Sequence, residues 1–379
     1  MLDNRYYDQA CYSADADTRA SFLSQVEVSF AEPSDHGLQS LMDNFFSSWQ
    51  AASNNPTSTP ARSAVIEAGK ALSQGFNQID RNFQTILTQI SAEQNLHRDE
   101  VVRTTDQIVD LTNQIRATIL HQGSPNNLQD QRDKLIDKLA GLGDINVVKY
   151  DDGNIDLNFA AFPLVQTIGG IPVAGTPTLN DLNNASSGTM YALNDLSTNV
   201  ITGLQSKLDS IAQAVVTLVN GQHSTGYALD GVTTGMNFFD PSGTTANSIS
   251  LDLGIIGQPG KLALAGATGQ PGDNSRGLII SNLANQLSSV GTESVNGAYG
   301  SLTSQIGSLV NQANIQQKVQ TALTSAVQDQ RDSVSGVSLD EEMSNLLKYQ
   351  QSYGAAARVV SALDQMLEIL ISRTGKVGL

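Results

Sequence analysis

Apolar residues recur at steps of three and four along most of the chain, and give way to alternation only between about 145 and 173. Tyr6, Tyr7, Tyr12, Phe22 and Phe30 predict a helix over 1–32, broken at Pro33-Ser34-Asp35-His36-Gly37. Leu38, Leu41, Met42, Phe45, Phe46 and Trp49 form a short, strongly amphipathic stretch that stops before Asn54-Asn55-Pro56, and its aromatics read as core anchors. After Pro60, Leu72, Phe76, Ile79, Phe83, Ile86 and Ile90 occupy consecutive positions of one face. Val101, Ile108, Ile115 and Ile119 carry that face to Gly123-Ser124-Pro125. A helix from Ala64 to His121 would be about 85 Å long, beyond the span of a compact domain. A further helix over Leu128–Leu139 ends at Gly141 and Gly143.

From Ile145 the period becomes two. Ile145, Val147, Val148 and Tyr150 lead into Asp152-Gly153, a favoured hairpin turn, and Ile155, Leu157 and Phe159 return in alternation. Residues 165–168 and 171–173 around Gly169-Gly170 predict a second hairpin, and Met190–Leu193 a short strand. Helix resumes at Asn199, where Ile201, Leu204, Leu208, Ile211, Val215 and Leu218 fill six successive positions. The Gly-rich stretch 221–275 carries possible strands at 249–253 and 261–265 and is expected to return to the β region. Leu278, Ile279, Leu283 and Leu287 mark another helix, and a long one follows through Leu302, Ile306, Leu309, Ala313, Leu323 and Val327, breaking at Ser335-Gly336.

The chain is organised around its tail. Ser338 and Glu341 have the spacing of a capping box, with Asp340, Glu341 and Glu342 in the first turn. Steps of four and three from Leu339 reach Met343, Leu346, Gln350, Tyr353, Ala357, Val360, Asp364, Leu367 and Ile371, a coiled-coil seam interrupted only at Gln350 and Asp364. Val359, Leu363, Met366 and Leu370 widen the stripe in its last third beyond what one neighbouring helix would cover. That face is predicted to be bare within the chain and to serve for assembly, through Leu339, Met343, Leu346, Gln350, Tyr353, Ala357, Val360, Leu363, Leu367, Leu370 and Ile371. Helices from both ends bracketing a β segment predict a mainly α fold with a β insertion, an elongated rod of long antiparallel helices with a small β-rich outer part.

Composition narrows the function classes. The 379 residues are 40% hydrophobic, only 5% aromatic and 15% charged, a mix suited to polar-faced helices around modest cores. The formal charge of -16 opposes binding to nucleic acid or to an anionic membrane. A single cysteine, Cys11, excludes an intramolecular disulfide. No apolar run approaches the roughly 20 residues of a membrane span, and no charged start precedes an apolar core at the N-terminus. His36, His97, His121 and His223 are scattered, without metal-ligand spacing. Asp151-Asp152 and Asp340–Glu342 are explained by a turn and a helix start. Asp130 and Asp133 flank Arg132 as local ion pairs. No nucleotide-binding or nucleophile motif is present, so no catalytic, cofactor or metal residue is assigned.

Residues 333–371, SVSGVSLDEEMSNLLKYQQSYGAAARVVSALDQMLEILI, resemble the C-terminal signature of the flagellar axial proteins. Within that class, LMDNFFSSWQAASNNPTSTPARSAVI at 41–66, SPNNLQDQRDKLIDKL at 124–139, NGQHSTGYALDGVTTGMNFFD at 220–240 and PGDNSRGLIISNLANQ at 271–286 resemble the hook-associated protein 1 family of the hook–filament junction. The resemblance covers most of the chain in the family's order. It implies a non-enzymatic structural subunit of the bacterial flagellum, without cofactor, exported unfolded through the type III channel to an extracellular site. It also implies copies of itself, the hook protein, hook-associated protein 3 and a flagellar export chaperone as partners. Mapped on this chain, it implies helical-bundle parts at 1–140, 196–226 and 273–335, a β-rich outer domain at 141–195 plus 227–272, and a C-terminal coiled-coil helix at 336–379. The family's N-terminal helix, ending near a T-P-G-Y-S turn, has no counterpart here, which suggests a shortened chain and accounts for the bare stripe. Beyond Phe238-Phe239 only a short loop stands where some members carry a large insertion. The rival readings are another axial protein, such as the hook protein or hook-associated protein 3, and a secreted adhesin or enzyme on an axial scaffold.

Overall fold

The computed structural model describes residues 2–30, 34, 37–287, 290–335 and 339–374. The helices follow the apolar periodicity. α1 covers Leu2–Phe30, α2 Leu38–Asn54, α3 Thr59–Leu120 and α4 Asn126–Leu142. α3 runs unbroken for 62 residues; it starts where the Ser58 hydroxyl accepts the Ala61 N–H, with Pro60 in the first turn. Its buried row holds Leu72, Phe76, Ile79, Phe83, Ile86, Ile90, Val101, Ile108 and Ile115 as read from the sequence, begins earlier, at Val65, and leaves the expected Ile119 only half-buried. Gly69 lies on that helix where an added Cβ would sit 2.6 Å from the Phe238 ring, so only glycine admits the aromatic there.

Four antiparallel strands follow in the order β1-β2-β3-β4: Ile145–Lys149, Ile155–Phe159, Phe162–Ile168 and Ile171–Ala174. The first turn is held by Asp152, whose carboxylate accepts the Asn154 N–H at 3.0 Å, and by Gly153 at φ +88°. A register shift between Leu157 and Asn158 marks a bulge.

Met190–Leu193 is helical, not a strand. It belongs to α6, Gly188–Asp195, which follows the short α5 at Leu179–Asn183. Met190, Leu193 and Leu196 recur at three and face inward, a spacing that a four-residue apolar run conceals. α6 continues through a π-helical turn at Leu196–Val200 into α7, Ile201–His223. Among the described residues, 221–275 contain no strand, only isolated bridges at Tyr227–Ala265 and Phe239–Leu251. Here Asp230, Asp240, Asp252 and Asp273 each accept a backbone N–H two residues on and fold the chain into successive turns. This segment, expected to return to the strands, packs instead against α2, α3 and α7. Phe238, Phe239, Ile249, Leu251, Leu262 and Leu264 fill their core, because large apolar residues spaced irregularly along turns can all face one helical surface.

α8 covers Ser275–Ser281, α9 Val295–Ser335 and α10 Leu339–Thr374. The expected break at Gly336 and cap at Ser338 lie outside the described residues. Two compact units result, Asp3–Thr324 and the chain from Ser325 onward. α9 begins in the first and ends in the second. The first unit holds two separate hydrophobic cores. The larger is built on α2, the first half of α3, α7 and the start of α9. The smaller joins Tyr7, Val101, Ile108, α4, the strands, α5 and Met190.

Candidate assembly surface

α10 is a 36-residue helix whose apolar stripe faces solvent along its described length. Met343 is 64% exposed, Leu346 55%, Tyr353 80%, Val360 58% and Ile371 70%. Gln350, Ala357, Leu363, Leu367 and Leu370 are exposed with them, as are Val359 and Met366 of the second row. Leu339 opens the helix, and its side chain lies outside the described ones. The seam therefore exists as a geometric stripe: residues three and four apart lie on one side of the helix.

The polar residues of the 220–240 stretch do a different job. Asn220 and His223 lie one turn apart on the otherwise apolar face of α7. The Asn220 side chain accepts the N–H groups of Phe238 and Phe239 at 2.9 Å and donates to the Phe239 carbonyl at 2.9 Å. The Ala263 N–H donates to His223 Nε2 at 2.9 Å, which leaves Nδ1 to carry the proton and donate to the Met236 carbonyl at 2.7 Å. Burial pushes the His223 pKa down to about 4. Trp49 and Phe238 pack edge-on against its ring. Arg62, equally buried, donates to the carbonyls of Pro56 and Leu262, both at 2.5 Å, and burial holds its pKa down at about 10. These groups satisfy backbone atoms inside the fold and present nothing to a substrate.

Arg132 is a correction. Rather than pairing with Asp130 and Asp133, it is buried and donates to the Gly153 carbonyl at 2.8 Å, docking the first hairpin turn onto α4. Asp133 pairs instead with Lys149 of β1 at 2.8 Å. Sequence spacing within the helix pointed to neighbours and missed both partners, each more than a dozen residues away. For Asn220 and His223 a signal was present: two polar residues at i and i+3 interrupting a buried row. Cys11 is buried, with Sγ 2.8 Å from the Ser187 hydroxyl and its pKa pushed up to about 12 by burial. Among the described residues no cluster of three His, Cys, Asp or Glu could hold a metal ion, and no helix is long and apolar enough to cross a membrane.

Comparison with known proteins agrees with this architecture. The helical-domain model of flagellar hook-associated protein FlgK matches residues 23–239, and the C-terminal model of the flagellar basal body rod FlgEFG proteins matches residues 328–373. Flagellar hook-associated protein 1 of Bacillus subtilis (strain 168) is 28% identical over 429 aligned positions, covering 100% of this chain and 84% of that protein. The Salmonella typhimurium protein of the same name is 23% identical, over 94% of this chain and 84% of its own length. The structure of the flagellar hook junction protein FlgK from Burkholderia pseudomallei superposes with a TM-score of 0.75 at 13% identity, covering 88% of this chain and all of that one; at that identity the likeness concerns the fold. With the helical-domain model matched over more than half its length, the chain belongs to the FlgK family of flagellar hook-associated proteins.

Proposed function

We propose that the apolar face of α10 is the surface through which this subunit assembles, and that the assembly is the junction between flagellar hook and filament. Family membership makes the chain a structural component of the flagellum and not an enzyme. The observation that carries the reading is the exposure of Met343, Leu346, Tyr353, Val360, Leu367 and Ile371 along one side of a single helix. Burial of such a seam between helices is the driving force of coiled-coil association. The occupants proposed are other copies of this chain, the hook protein and hook-associated protein 3. A flagellar export chaperone is proposed to cover the same stripe before type III export, and the working location is extracellular. The C-terminal model matched at 328–373 supports an axial mode of assembly. The name shared by the relatives, hook-associated protein 1, favours the junction over another axial position.

Deleting residues 339–371 should leave the Asp3–Thr324 unit folded by circular dichroism while abolishing filament attachment in cells that depend on this chain. Filaments that remain attached would contradict the proposal.

A further inference from the structure

Among the described residues, three helical segments carry side chains of both hydrophobic cores of the Asp3–Thr324 unit, and two of them, α1 and α3, lose apolar packing where they pass from one core to the other. On α3, ten consecutive residues, Ser91–Glu100, contain no buried side chain, although Ile90 before them and Val101 after them are fully buried. On α1, Tyr7 belongs to the smaller core and Ala20 to the larger. Between them only the small residues Cys11 and Ala16 are buried. The third segment changes core between Met190 and Leu193 with Met190, Ala192, Leu193 and Leu196 all fully buried, and only then enters the π-helical turn at Leu196–Val200.

Polar contacts tie α1 to the third segment at this level. Arg19 of α1 donates to Asp15 on its own helix and to Asp195 of α6, both at 2.6 Å, and its guanidinium lies over the Tyr191 ring. Cys11 meets Ser187. A helix held laterally by a close-packed core is stiff there, so bending concentrates where that support lapses. A π-helical turn weakens the hydrogen-bond ladder of the third segment just past the crossing, where Leu196 and Ile201 join the larger core.

We propose that this level is a bending joint built into the subunit, on which the strand-bearing core tilts relative to the helical core about the π-helical turn, restrained by the Arg19 bridge. The joint belongs to the single chain and does not depend on the assembly reading. A π-helical turn amounts to one residue inserted in an α-helix, so removing the exposed Thr198 should convert it to continuous α-helix without shifting the register on either side.

The test is a pulsed electron-spin distance measurement on the full chain. One label pair, Gln166→Cys with Ser206→Cys, spans the joint; the other, Gln84→Cys with Ser206→Cys, stays on the larger core. All three positions are exposed, and buried Cys11 stays unlabelled. The spanning pair should give a distribution roughly twofold wider than the control, in keeping with locally reduced stability. Deletion of Thr198 should narrow it, and Arg19→Ala should widen it further. Equal widths for the two pairs would overturn the joint, as would a folded Thr198 deletion that leaves the wide distribution unchanged. If the deletion does not fold, Arg19→Ala decides: widening supports the joint and an unchanged width refutes it.

Discussion

His223 shows how a single buried side chain sets a condition on the fold. In the unfolded chain its imidazole titrates near the ordinary value of about 6.5, whereas burial holds it at about 4 in the fold. Between those values the unfolded state binds the proton and the folded state does not. The stability that depends on neutral His223 is therefore fully present above about pH 6.5. It is lost as pH falls toward 4, by a total on the order of 3 kcal/mol. Protonation there would also remove the acceptor for the Ala263 N–H. Urea unfolding of the native chain and of His223→Asn at pH 7, 5.5 and 4 checks this. Their difference separates the histidine from the carboxylates, and the native chain should lose its advantage on acidification; a constant difference would contradict the assignment. At this scale the sequence was legible for apolar residues and poorly so for polar ones. Phe45, Phe46 and Trp49 advertise burial by periodicity alone. The partners of His223, by contrast, are backbone atoms 13 and 40 residues away, which no local spacing encodes.

Elements were legible in proportion to their length. α3 and α7 each repeat their apolar face many times, so the period is unmistakable, and the Asp152-Gly153 turn carries its own chemistry. The short α6 offers only one turn and a half of pattern, and its apolar run reads equally as strand. The 221–275 segment has no period at all, because its large apolar residues are presented by Asx turns whose carboxylates bond two residues ahead. α10 differs from the other long helices in being amphipathic without a covered face. A helix with little lateral burial opens at low cost. Backbone amides of residues 346–370 in the isolated subunit should therefore exchange with solvent at least ~10-fold faster than those of α7, as read by mass spectrometry. Protection of α10 equal to that of α7 would mean that its apolar face is covered in the single subunit.

For the molecule as a whole, the bare face of the tail was legible as an excess. The tail carries more ordered apolar surface than a solitary helix can use, and the structure leaves that surface exposed. The identity of the covering chains was not legible in the residues, because a stripe of Leu, Met, Val and Ile fits any complementary stripe and names no partner. Family membership supplies the flagellar setting. Charge works in the same direction: at -16, free subunits repel one another at long range. Association must then come from close apolar contact. The most direct measurement is complementation of filament attachment by Leu346→Glu combined with Leu367→Glu, set beside Gln351→Glu combined with Ser352→Glu as a charge-matched control on the same helix. The stripe variant should lose filament attachment while its thermal unfolding stays that of the native chain and the control still attaches filaments; full attachment by the stripe variant would contradict the account.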